Sequence, residues 1–278
     1  MSVLSGWLFA LLMGVFGLVF GSFANVVIWR VPRGESIVGP GSHCPACDAP
    51  IAWYDNIPVL SWVVLRGECR ACHTSIAIRY PLVELASGGL FVLAAVMFGF
   101  GLQAVVGGVL FWFLLVLSVI DLDHMRLPNL LVAMLAAGGL VAMFVSEFTE
   151  VTLVPLVPLP VSGPLASSLA YGFLGVLLGA GAPAFAAGLY GLIRGKRGLG
   201  MGDVKLLSVL GLYFGPYVLL VLFVGSLIGM VMGLVTARDG KISESRIPFG
   251  PWLAVGAVVV TLIGPFLWGW YAQCVGLN

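Results

Sequence analysis

Runs of about 20 apolar residues, the length at which a helix crosses the hydrocarbon core of a bilayer, recur along most of this chain. The sequence predicts membrane spans at 4–28, 82–100, 104–120, 129–146, 166–193, 204–214, 217–236 and 249–271. With 60% hydrophobic residues, 9% charged residues and a mean hydropathy of +1.11, an ordinary soluble domain is excluded. The expected class is an all-α polytopic membrane protein of about eight transmembrane helices. The first run is too long for a cleaved signal peptide, and it lacks basic leading residues and a small-residue cleavage site.

Where the charges stand predicts the orientation. All 13 Lys and Arg residues lie in the segments 29–81, 121–128, 194–203 and 237–248, or just beyond one of them at Lys205. The opposite connections carry none, and one holds Glu147 and Glu150. Basic residues concentrate on the cytoplasmic side, so both termini are expected outside and residues 29–81 inside. This parity tests the stretch 204–236. As one helix it would be about 50 Å long, too long for an upright crossing. Both flanks bear cytoplasmic-type charge, so two spans turning at Gly215-Pro216 are expected. The first of them is then only about 15 Å long, placing Asp203 below the membrane surface in a water-filled notch.

Residues 29–81 form the sizeable soluble stretch, too small to bury a good core without a staple. Cys44-Pro-Ala-Cys47 and Cys69-Arg-Ala-Cys72 supply one, since two such pairs at this separation suit a tetrahedral four-thiolate zinc site. Disulfides are the competing pairing, disfavoured in a reducing cytosol. Four thiolates close the coordination sphere, so the metal is expected to be structural. His43 and His73 are either substitute ligands or exposed loop residues, and Cys274 stands alone. The expected division is a first helix 1–28, the zinc-stapled segment 29–81, and a seven-helix domain 82–278.

Carboxylates beside membrane spans are costly and mark functional sites. Asp121 closes one apolar run and Asp203 opens another, both on the face expected to be cytoplasmic. Asp121 and Asp123 point to different helix faces, so Asp123, His124 and Arg126 read as a solvated turn. The bland alternative for Asp121 is a bond to Arg126 or to a helix end; for Asp203 it is a pairing with Lys205. Gly200 and Gly202 strip side chains from around Asp203, so another backbone or an extended substrate can approach. Two carboxyls brought together share a proton and divide the roles of base and acid. Peptide-bond hydrolysis needs that division, a cleft that admits water, and an unwound substrate.

With these residues in place, the chain resembles the type IV prepilin peptidases, membrane aspartyl proteases, over nearly its whole length. The motifs that carry the resemblance are Gly21-Ser-Phe-Ala-Asn25 with Arg30-Val-Pro32, the two cysteine pairs with Asn56-Ile-Pro58 and Ser61-Trp62 between them, Arg79-Tyr-Pro-Leu-Val-Glu84, Ile120-Asp-Leu-Asp123, Gly200-Met-Gly-Asp203 and Ile247-Pro-Phe-Gly-Pro251. The resemblance implies Asp121 and Asp203 as the catalytic pair in a bacterial inner membrane. Its implied partners are the lipid bilayer and the basic leader of a prepilin or pseudopilin, with no nucleic acid. It further implies S-adenosylmethionine-dependent methylation of the new N-terminus, seated in 29–81, with Gly67 matching a glycine associated with that activity. No Rossmann-type glycine fingerprint accompanies it. Asn129 stands where relatives often carry aspartate. Glu84 either holds the new amine or bonds Arg79. The segment 147–165, with Val154-Pro-Leu-Val-Pro-Leu-Pro160, reads as a semi-rigid surface connector. A proton- or cation-coupled transporter and an inactive zinc-stabilised scaffold are the competing classes; the first leaves the cysteines unexplained, and the second makes the aspartates dispensable.

Overall fold

A computed structural model describes residues 3–149, 151–157, 167–195, 200–236 and 248–275. Among them the regular structure is helical, apart from two isolated antiparallel bridges. The helices are α1 (Val3–Arg30), α2 (Leu60–Val64), α3 (Arg79–Phe98), α4 (Leu102–His124), α5 (Asn129–Phe148), α6 (Ser168–Arg194), α7 (Met201–Phe214), α8 (Val218–Thr236) and α9 (Gly250–Val275). Among the described residues, six stretches are long and apolar enough to cross a membrane, as in a multi-pass membrane protein. One of the six, Met201–Val235, joins α7 to α8. The two are nonetheless distinct helices, parted by a 3-10 turn at Gly215–Tyr217 in which Gly215 takes φ +55°. That is where the Gly-Pro pair predicts the break.

Two ends differ from the expected spans in a way that matters for the site. α4 runs on to His124, so Asp121 belongs to its last turns, and Asp123 and His124 are still helical. α7 starts at Met201, not at residue 204, and takes Asp203 into its first turn.

Contacts divide the chain into two compact units, Met1–Val119 and Ile120–Asn278. In the first, α1 and α3 lie almost backbone to backbone. A Cβ on Gly17 would come within 2.9 Å of Gly88 Cα, and one on Gly21 within 2.6 Å of Glu84 Cα. Small residues give apolar helices their closest approach in a membrane. The Ser87 hydroxyl adds a 2.6 Å bond to the carbonyl of Gly17. Phe91 and Trp112 fill the space beside Phe20, and the Trp112 indole N–H donates to the Phe20 carbonyl at 2.8 Å.

In the second unit, α6 meets α7 through Gly175 against Gly211, each with no room for a methyl group. The Tyr213 hydroxyl donates to the Leu135 carbonyl at 2.8 Å, tying α7 to α5. The segment after α5 corrects the expectation of a surface connector. Leu153, Val154, Leu156 and Val157 are buried. The Ser146 hydroxyl accepts the N–H groups of Leu153 (2.8 Å) and Val154 (3.0 Å), and Leu156 N–H donates to the Tyr213 carbonyl at 2.8 Å. Four apolar side chains, three of them with bonded amides, gain more from burial than from water. The rest of that expected connector, residues 158–165, lies outside the described residues.

Candidate active site and metal centre

The second unit contains both aspartates of interest. Asp121 is 5% exposed, and its Oδ2 accepts the backbone N–H of Gly250, the first residue of α9, at 3.0 Å. Of the two bland partners expected, Arg126 or a helix end, the structure holds the helix end. A helix N-terminus offers unpaired N–H groups and the positive end of its dipole to such a carboxylate. Gly250 leaves the carboxyl its place, because a Cβ there would stand 2.8 Å from Asp121 Oδ2 and push it aside. Beyond α4 the chain turns at Met125, a non-glycine residue at φ +53°, whose N–H donates to the Asp121 carbonyl at 2.9 Å. The turn delivers Leu127 against both Gly202 and Gly250.

Asp203 is half-buried in the first turn of α7, behind Gly200 as N-cap. Its carboxyl folds back over that glycine, whose Cβ would lie 3.0 Å from Oδ2. Gly202 faces Leu127 at an ordinary 3.5 Å, so it is less constrained. Asp121 and Asp203 are near enough for their charges to interact. Lys205 turns away from Asp203 and donates to Asn129 Oδ1 at 2.9 Å. Two carboxyls carried at separate helix ends are thus within range of each other's charge, with glycines packed around them.

The first unit holds the cysteines. The sulfurs of Cys44, Cys47, Cys69 and Cys72 all lie within 4.8 Å of one another, and the cysteines are free. Cys44 and Cys72 Sγ are 3.8 Å apart. A tetrahedron of Zn–S bonds about 2.3 Å long separates its sulfurs by about 3.8 Å, so the donor set fits that metal. Each pair sits on the same turn. Asp48 N–H returns to the Cys44 carbonyl and His73 N–H to that of Cys69, both at 2.9 Å. Asp48 and His73 take φ +55° and +58°, and a bridge closes each turn, His43 to Pro50 and Glu68 to Ser75. The repeated turn aims two thiols inward from each knuckle. His43 and His73 are exposed and lie outside the sulfur cluster. Crowding splits the thiols: bonds from Thr74 bring Cys72 down to about 6. Cys47, despite the Ala49 N–H bond, is pushed up to about 12 by its neighbour Cys72. A divalent cation held by the four sulfurs would relieve that conflict.

Arg70 braces the second knuckle through a two-pronged pair with Asp55, at 2.8 and 2.6 Å. Gly67 has a local structural role. It sits at φ +73°, and a Cβ would come within 2.9 Å of the Trp62 ring, whose N–H donates to the Ile76 carbonyl at 3.0 Å.

A cleft of about 1040 Å³ opens in the same unit, lined among others by Ser22, Asn25, Trp62, Tyr80 and Glu84. Glu84 is 9% exposed, accepts the Val59 N–H at 2.7 Å and has the Ser22 hydroxyl beside it. Of the two partners considered for Glu84 in the sequence, Arg79 and a substrate amine, neither anticipates Val59. That backbone contact, like the one from Gly250 to Asp121, leaves no trace in composition or spacing. The Ile-Pro-Phe-Gly-Pro string was the available signal for Gly250.

Residues 15–98 match the Bacterial Peptidase A24 N-terminal domain, and residues 108–234 match the Type IV leader peptidase family. The chain is 38% identical to a prepilin leader peptidase/N-methyltransferase of Stutzerimonas stutzeri, over 93% of this chain and 92% of that one. It is 35% identical to the protein of the same name from Aeromonas hydrophila, over 95% and 94%, and 34% identical to that of Neisseria gonorrhoeae, over 92% and 91%. No solved structure matches. The chain belongs to the type IV leader peptidase family.

Proposed function

We propose that this protein is a membrane aspartyl endopeptidase that removes the short basic leader of type IV prepilins or pseudopilins and then N-methylates the new N-terminus. The observation that supports the reading is that Asp121 and Asp203, at two helix ends, lie within range of each other's charge, the first buried and held by a backbone N–H. One carboxyl takes a proton from the attacking water while the other protonates the scissile carbonyl oxygen. The pair titrates jointly, so neither is singled out as acid. Gly200 and Gly202 give an unwound substrate room beside Asp203.

Both activities face the cytoplasm of a bacterium, in its inner membrane. α1 and α3–α9 make eight crossings, with both termini outside and residues 29–81 inside. The functional division is a first helix 1–28, a zinc-bearing segment 29–81 and a seven-helix peptidase domain 82–278. Cys44, Cys47, Cys69 and Cys72 hold a structural zinc ion; four thiolates leave it no open position for catalysis. S-adenosylmethionine supplies the methyl group in the cleft of the first unit, near Gly67. The partners are the prepilin and the bilayer, with no nucleic acid.

The test is mass spectrometry of a prepilin incubated with the purified protein, Asp121→Asn or Asp203→Asn, with and without S-adenosylmethionine. Wild type removes the leader and adds a methyl mass only with the cofactor. Each variant folds but loses cleavage by roughly 1,000-fold or more, as expected for removal of a general acid or base with its partner. Full activity in either variant removes that aspartate from the mechanism.

A further inference from the structure

We propose that Glu84 is the general base of methyl transfer, a step that rests on the methyltransferase half of the reading above. Glu84 lines the cleft of the first unit, within the 15–98 match and outside the match that contains the aspartates. The cationic side chains along that cleft are already engaged. Arg30 donates to the carbonyls of Ser36 and Pro40 at 2.9 and 2.7 Å, and Arg70 is paired with Asp55. Neither neutralises Glu84, which leaves its charge for an incoming cation. Its orientation is fixed by the Val59 N–H on Oε2, and a carboxylate so held keeps further acceptor sites. Val59 reaches it from φ +62°, an uncommon conformation for a β-branched residue and of a kind that gathers at functional sites.

The chemistry requires such a group. A newly exposed α-amine has a pKa of about 8 and is mostly an ammonium ion near neutrality, so it has no lone pair to offer. Glu84 takes one proton from the ammonium. The freed nitrogen lone pair then forms the N–C bond to the methyl carbon of the sulfonium donor. The S–C bond breaks with its electron pair left on sulfur, giving a thioether and a methylated ammonium. Glu84 returns its proton to water.

The decisive variant is Glu84→Gln, whose amide oxygen still accepts the Val59 N–H but takes no proton. Full-length protein in detergent is given an already cleaved pilin with a free N-terminus, plus S-adenosylmethionine with a labelled methyl group. Prepilin cleavage, zinc content and the thermal midpoint are measured in parallel. The expected result is a methylation rate roughly 100-fold lower near neutrality. Alkaline buffer, which deprotonates the amine unaided, restores a large part of the rate. Methylation at the wild-type rate overturns the proposal. So does a loss that alkali does not rescue, which would make Glu84 only a pin for Val59. A wild type that cleaves but never methylates removes this proposal and the methyltransferase reading together, while the peptidase reading stands.

Discussion

At the scale of single residues, the molecule places backbone N–H groups where its carboxylates need them. Gly250→Ala keeps the N–H but sets a methyl group 2.8 Å from Asp121 Oδ2. The expected outcome is a fall in kcat of roughly 10- to 100-fold with KM little changed, because only the geometry of the reacting group is disturbed. A pH–rate profile displaced in one limb would tie the effect to Asp121; a uniform loss across pH would mean general damage. Asp55 offers a second test, outside the membrane spans. Its bond to Arg70 holds its carboxyl below the ordinary range. A group depressed on folding contributes its stability above the unfolded value of about 3.9 and loses it as pH falls through the folded value. Asp55→Asn should therefore lower the thermal midpoint near neutrality, and the gap from wild type should close in acid. A gap independent of pH would show that the ion pair is not its source.

At the scale of elements, glycine contacts decide how the helices stack. Gly175 on α6 and Gly211 on α7 each stand where the other's backbone leaves no room. Gly175→Ala should cost roughly 1–3 kcal/mol by overpacking, read as a lower melting temperature in detergent, while Gly181→Ala, with open space around it, should be neutral. Equal melting of the two variants would refute the contact. Helix positions were legible in the sequence because apolar runs bounded by charge and Gly-Pro leave few alternatives. Their ends were not: Asp203 lies inside α7 because Gly200 caps the helix four residues before the apolar run begins at Val204. The burial of Leu153–Val157 was also missed. A proline-rich stretch reads as exposed, and only Ser146 and the Tyr213 carbonyl, from elsewhere in the fold, satisfy its amides.

At the scale of the whole molecule, the cysteine pairs and the separated aspartates were readable because their chemistry depends on residue type and spacing. The Asp121–Gly250 contact spans 129 positions of sequence and has no periodic signature. Chelation tests the metal: a strong chelator should strip about one zinc per chain, the stoichiometry of a four-thiolate site, and loosen 29–81 to protease. Cleavage by the aspartates should decline only as that segment unfolds. Protein purified with far less than one zinc, yet resistant to protease, would refute the structural metal.

The buried segment Leu153–Val157 bears on a hazard peculiar to hydrolysis inside a bilayer. If Asp203 activates water as proposed, solvent must reach the start of α7, yet a wet path right through the unit would short-circuit the ion gradients across the membrane. Leu156 is bonded to Tyr213, ten residues along α7 and so about 15 Å from Asp203. Its buried apolar neighbours would keep that far end dry like a stopper in a well, so that water admitted to Asp203 would feed the reaction without draining the cell's voltage.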